Sequence, residues 1–100
     1  MMKIDFSNVC HLIPDTVEKL YLFGSYARKT NTVYSDIDIA VLVSEDFTIY
    51  DKADLYCLFS EIFPDRDTSL FITTEQALTT TNCLDVNYSV REEGVLVWKK

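Results

Sequence analysis

From Ile37 to Val43 the chain reads Ile-Asp-Ile-Ala-Val-Leu-Val, a β-branched and almost wholly apolar run of strand length. Such a run suits a strand covered on both faces, so the fold must place a layer on either side of a sheet. Any polar residue inside that strand then needs a reason. Asp38 is one, and Asp36 stands just before the run. Side chains two positions apart on a strand share a face, which brings both carboxylates together while Ile37 turns into the core. A pair of aspartates at a strand edge facing solvent is the ordinary explanation, because repulsion between charges in water is modest.

The flanking elements follow from local pattern. Asp5 to Ile13 reads as a short helix closed by Pro14, and Lys19 to Phe23 as an aromatic-rich strand stopped by Gly24-Ser25. Tyr26 to Thr30 suits a short helix and Asn31 to Ser35 a polar loop. Between Tyr50 and Phe63, Leu55, Leu58, Phe59 and Ile62 recur at helical spacing, and Pro64 ends the pattern. Asp67 to Thr73 returns to strand, and the Thr/Asn-rich stretch to Asn82 reads as a loop or a weak helix. A last helix capped by Asn82, with Leu84 and Tyr88 on one face, is stopped by Gly94 before the strand Val95–Trp98. The expectation is an α/β (α+β) domain over residues 1–100, a mixed sheet of about four strands flanked by helices.

Composition narrows the function. With 48% hydrophobic and 25% charged residues the chain is a folding sequence, and 100 residues suffice for one core but not for an added substrate domain. A net charge of −7 repels phosphate backbones, so direct nucleic-acid binding and templated polymerisation are not expected. Bound divalent cations reverse that repulsion locally, so a nucleoside triphosphate is still admissible. The cysteines, Cys10, Cys57 and Cys83, are odd in number and dispersed, which reads as reduced, buried thiols. His11 is the sole histidine, too little for a histidine-rich metal site. Neither a signal peptide nor a membrane span is apparent, and the expected location is the cytoplasm.

Two motifs carry chemistry. Glycine ending a strand lets a ligand approach the main chain, and the helix start after it offers unpaired N–H groups to an anion, with the Ser25 hydroxyl either capping that helix or bonding a phosphate. Asp36 and Asp38 offer hard oxygen ligands for Mg²⁺ or Mn²⁺, ions that keep several waters and take substrate phosphates as further ligands.

Taken together, Leu22-Phe23-Gly24-Ser25-Tyr26-Ala27-Arg28 and Ser35-Asp36-Ile37-Asp38-Ile39-Ala40-Val41 resemble the minimal nucleotidyltransferases of the DNA polymerase beta-like superfamily. The resemblance implies a nucleotidyltransferase fold with ATP as substrate and Mg²⁺ or Mn²⁺ as cofactor. It also implies nucleotide or phosphate contacts from Gly24, Ser25, Arg28 and Ser35, although for Arg28 an exposed helix arginine paired with an acid is an equal alternative. A third carboxylate completes the family's metal site, and Asp67 matches best, with Asp65 the competitor. Lys29 and Thr68-Ser69 depart from the pattern, where glycine and apolar residues are usual.

Many proteins this similar look like antitoxins of HEPN–MNT toxin–antitoxin pairs, which transfer AMP from ATP to a tyrosine of a HEPN ribonuclease partner. The resemblance thus implies a protein adenylyltransferase working in a hetero-oligomer. Two alternatives stand beside it: a catalytically silent antitoxin acting by binding, and a nucleotidyltransferase acting on a small molecule.

Overall fold

The computed structural model describes residues 10–24 and 36–100. Four strands form one mixed sheet: β1 (Val17–Phe23), β2 (Ile37–Val43), β3 (Thr68–Thr73) and β4 (Val95–Lys99), in the order β3-β2-β1-β4. β1 is antiparallel to both β2 and β4, whereas β2 and β3 run parallel, joined across one face by helix α1 (Ile49–Ile62). This is the α+β sheet flanked by helices that the sequence leads one to expect.

β2 occupies the position its composition demands. Ile37, Ile39, Val41 and Val43 face α1, packing with Leu20, Leu22, Leu55, Leu58 and Phe59. Ala40 and Leu42 face the other way, against Leu78 and Val90. Five of its seven residues are wholly excluded from solvent, so the strand is covered on both sides.

Helix α1 begins with a reciprocal capping box: Asp51 N–H donates to Thr48 Oγ1 at 3.3 Å, and Thr48 N–H donates to Asp51 Oδ2 at 3.1 Å. Thr16 Oγ1 also donates to that carboxylate, at 2.9 Å, which pins the helix start to the turn before β1. Leu55, Leu58 and Phe59 are buried at spacings of three and four, and the helix ends at Ile62, before Pro64.

The last helix, α2 (Val86–Glu93), starts later than the sequence pattern suggests. Its cap is Asp85, whose carboxylate accepts from Asn87 N–H at 2.9 Å; Asn82 instead holds the preceding turn by accepting from Leu84 N–H. Leu84 therefore lies outside the helix, 89% exposed, and Val90 is the residue α2 buries. Gly94 does stop α2, but at φ −65 and not in a left-handed turn. A Cβ there would run into the Val90 carbonyl. The Thr/Asn-rich stretch contains a single 3₁₀ turn, Ala77–Thr79, tied to α2 by Arg91 Nη1, which donates to the Leu78 and Thr80 carbonyls at 2.8 and 2.7 Å.

The N-terminal helix is reduced, within the described residues, to one 3₁₀ turn at Cys10–Leu12; the remainder of that expected helix and the expected helix over Tyr26–Thr30 lie outside them. Cys57 and Cys83 are free thiols, but exposed and not buried. Cys57 lies on the outward side of α1, one position before the buried Leu58. Among the described residues no helix is long and apolar enough to cross a membrane.

Candidate functional site

The carboxylates sit at one end of the sheet, set there by strand direction. β2 and β3 both begin at this end, and antiparallel β1 finishes there, with Phe23 opposite Asp38. Open parallel sheets usually place ligands at the carboxyl ends of their strands. Here the candidate site lies at the amino ends of the parallel pair, because that is where β1 delivers its glycine turn.

Gly24 adopts φ +72, a conformation that disfavours a side chain. A Cβ at this position would overlap Asp38 Oδ2 and stand 3.2 Å from its Cγ. The turn and the carboxylate, separate motifs in the sequence, are thus in contact, and only the absence of a side chain permits it. Asp38 is half-buried, Ile37 is fully buried against α1, and Asp36 is exposed ahead of the strand, as alternation about Ile37 requires.

Asp67 immediately precedes β3, and its carbonyl accepts from Ile37 N–H at 2.9 Å. It is exposed beside the start of β2, whereas Asp65 lies in the turn after α1, outside the strand ladder. The register places Asp38 opposite Ser69, a residue that sequence reasoning had noted only as a departure from pattern. Period two along β3 puts positions 67 and 69 on one face, so a reading that selects Asp67 also brings Ser69 into the site. Ser25, Arg28 and Ser35 lie outside the described residues.

Asp36 and Asp38 suit a magnesium-type ion, which is often held by one or two carboxylates with water and substrate phosphates completing the shell. Asp67 is near them along the sheet edge, yet among the described residues no three histidine, cysteine, aspartate or glutamate side chains converge as a metal-holding group. This applies equally to His11, which is exposed beside Asp54, Cys57 and Glu61. A surface depression of 590 Å³, lined by Asp15, Thr16, Lys19, Ser44 and Lys99 among others, lies at the opposite end of the sheet, at the start of β1 and the ends of β2 and β4.

A mixed sheet of this order, with a glycine turn pressed against Asp38 at the start of β2, defines the nucleotidyltransferase fold. The family model for polymerase beta nucleotidyltransferases matches residues 11–100, and the chain belongs to that family. No curated protein matches it.

Among solved structures, one chain of a toxin–antitoxin complex crystallised with AMP-PNP superposes with a TM-score of 0.67 at 24% identity, covering 97% of this chain and 75% of that one. A chain from the rebuilt structure of a tri-AMPylated Shewanella oneidensis HEPN toxin in complex with MNT antitoxin gives 0.57 at 22%, covering 93% and 68%. A chain of an MntA–HepT toxin–antitoxin complex gives 0.56 at 22%, with the same coverage. At these identities the likeness is one of fold.

Proposed function

We propose that this chain is an antitoxin-type protein adenylyltransferase that transfers AMP from ATP to a tyrosine hydroxyl of a cognate HEPN toxin in the cytoplasm. The observation that carries the reading is the contact between the left-handed Gly24 turn and the Asp38 carboxylate, which sets an anion-receiving turn beside hard oxygen ligands. The resemblance of fold to chains of toxin–antitoxin complexes, one with AMP-PNP and one with an AMPylated toxin, supports the choice of nucleotide and partner.

In this reading Asp36, Asp38 and Asp67 would hold Mg²⁺ or Mn²⁺. Bound there, Mg²⁺ or Mn²⁺ would supply charge neutralisation for the triphosphate and the departing pyrophosphate. Gly24 and Ser25 receive the phosphates through main-chain N–H groups and a hydroxyl, Arg28 and Ser35 contribute further contacts, and Asp67 orients the acceptor hydroxyl and takes its proton.

The test is direct. The purified chain, ATP and Mg²⁺ are mixed with the protein encoded by the adjacent reading frame, and both are weighed by mass spectrometry. An AMP adduct on the partner is expected; none on any partner would falsify the enzyme reading.

A second reading, a silent antitoxin that neutralises by binding, is favoured by two observations: no three carboxylates converge among the described residues, and a serine stands opposite Asp38. The two readings separate on the Asp36→Asn/Asp38→Asn variant, which keeps stoichiometric neutralisation only if occlusion is the mechanism.

A further inference from the structure

Helix α1 is uncharged on two sides. Leu55, Leu58 and Phe59 face the sheet, and the outward stripe of Ile49, Tyr50, Ala53, Tyr56, Cys57 and Ser60 carries no charged residue either. Ile49 and Tyr50 are 77% and 78% exposed, and Tyr56 42%. Single exposed apolar residues are ordinary, whereas an uncharged stripe along a whole surface helix marks a face that meets another molecule. Ile49, Ala53, Tyr56 and Ser60 also recur at steps of four, three and four, the spacing that seats one helix along another. Ala53 and Ser60 are small, so a facing helix can approach closely.

We propose that this outward face of α1 is the docking surface for the partner protein, occupied by an amphipathic helix with an apolar stripe and a basic margin. The inference rests on the partner half of the reading above and locates where that partner is held. Charge selects the occupant. Asp54 and Glu61, seven residues apart, line one margin of the stripe, and both are exposed. Two antiparallel copies of α1 about a two-fold axis would set that margin against itself, carboxylates facing carboxylates. A parallel pair would offer Lys52, the one cation of α1, which already lies over the Tyr56 ring at 6.0 Å. Each copy also brings a net charge of −7. A second copy of this chain is therefore disfavoured, and lysine or arginine on a partner helix is matched.

Between the acidic margin and the 3₁₀ turn at Cys10–Leu12 lies a depression of 400 Å³, lined by Leu12, Asp54, Leu58 and Glu61 among others. It suits a long basic side chain, whose stem packs on the leucines while its charge stands beside the carboxylates. α1 covers the face of the sheet opposite Asp38, so a partner held here leaves the transfer site open, and its grip does not depend on AMP transfer. The helix runs toward the site end of the sheet and finishes at Ile62, so a partner lying along it extends toward Asp67.

The experiment follows alkylation by N-ethylmaleimide, with mass mapping, in the free chain and in its complex with the protein encoded by the adjacent reading frame. Cys57 lies in the stripe, and Cys83, exposed ahead of α2, is the internal reference. Complex formation should slow the reaction at Cys57 and leave Cys83 unchanged. Asp54→Lys with Glu61→Lys, both at exposed positions, should weaken the Kd by about a hundredfold, the scale of two like-charge contacts across an interface, while thermal unfolding shows that the free variant still folds. No complex, a complex in which Cys57 reacts as fast as in the free chain, or a Kd that the double variant leaves unchanged overturns the surface. So does a dimer of the chain alone with Cys57 protected, which would seat a second copy there. AMP transfer is measured in the same mixture with ATP and Mg²⁺. Protection of Cys57 without an AMP adduct keeps the surface and rejects the transferase, whereas an adduct without protection rejects the surface and keeps the transferase.

Discussion

Replacing Gly24 with alanine tests the feature on which the site depends, and its cost separates into two parts. The first is conformational. Gly24 sits at φ +72, where an L-residue loses about 1–2 kcal/mol, offset by about 0.4–1 kcal/mol because alanine restricts the unfolded chain. The second is steric. The new Cβ would overlap Asp38 Oδ2, and that carboxylate must leave its rotamer, at about 0.5–1.5 kcal/mol. The net loss is about 1–2 kcal/mol, which for a domain of this size lowers Tm by roughly 5–15 °C.

A double-mutant cycle with Asp38→Ala isolates the severe part of the steric cost, because removing the carboxylate leaves only the Cβ of residue 38, 3.3 Å away, in the methyl group's path. Thermal or urea unfolding of the four proteins gives the coupling directly, expected at about 0.5–1.5 kcal/mol. An identical Gly24→Ala cost in both backgrounds would refute the argument, since the glycine would then serve the turn alone and not the approach to Asp38.

Asp36→Asn and Asp38→Asn should each lower AMP transfer on the order of 10²-fold or more, while for the exposed Asp36 the substitution leaves Tm unchanged within about 0.5 kcal/mol of stability; calorimetry beside the transfer assay checks both. Asp85→Ala removes the cap of α2, whose carboxylate accepts from Asn87 N–H, and should cost about 1 kcal/mol in urea unfolding. Lys19 donates to Glu75 at 2.5 Å, and this hydrogen bond holds its ammonium above the ordinary value of 10.5. Because the folded-state value is the raised one, the contribution is complete below pH 10.5 and is lost as pH climbs through the raised value. Urea midpoints followed across that range should fall for wild type, with the decline reduced in Glu75→Gln.

The sequence was most legible where one pattern admitted one partner. Ile37–Val43 is apolar on both faces, and its strand bounds are those the pattern predicts. Leu55, Leu58 and Phe59 fix the buried side of α1 and Pro64 closes it, whereas the Thr48 cap emerges only from the structure. The start of α2 was not legible in this way. Asn82 and Asp85 are both able to cap, and Thr74, Thr80 and Asn82 use their side chains on nearby main-chain N–H groups, a local bonding that competes with helix. The outcome is set by where Val90 meets Ala40 and Leu42, a contact between distant segments.

The site divides along the same line. Asp36 and Asp38 follow from strand alternation. That Gly24 abuts Asp38, that Asp67 borders Ile37 and that Ser69 stands opposite Asp38 are matters of pairing between strands, which spacing along one chain does not specify.

Strand pairing also gives the two halves of the site different histories within each molecule. The Gly24–Asp38 half closes through the β1–β2 pairing, whereas Asp67 comes beside Ile37 only after α1 has crossed the sheet, over about twice the length of chain. Each doubling of a closing loop costs about 0.6 kcal/mol of entropy, and local pairings form sooner than distant ones. The Gly24–Asp38 half therefore assembles first and Asp67 joins it last, so in the proposed transfer reading a newly made chain would hold the means to bind a nucleotide before it holds the means to spend it.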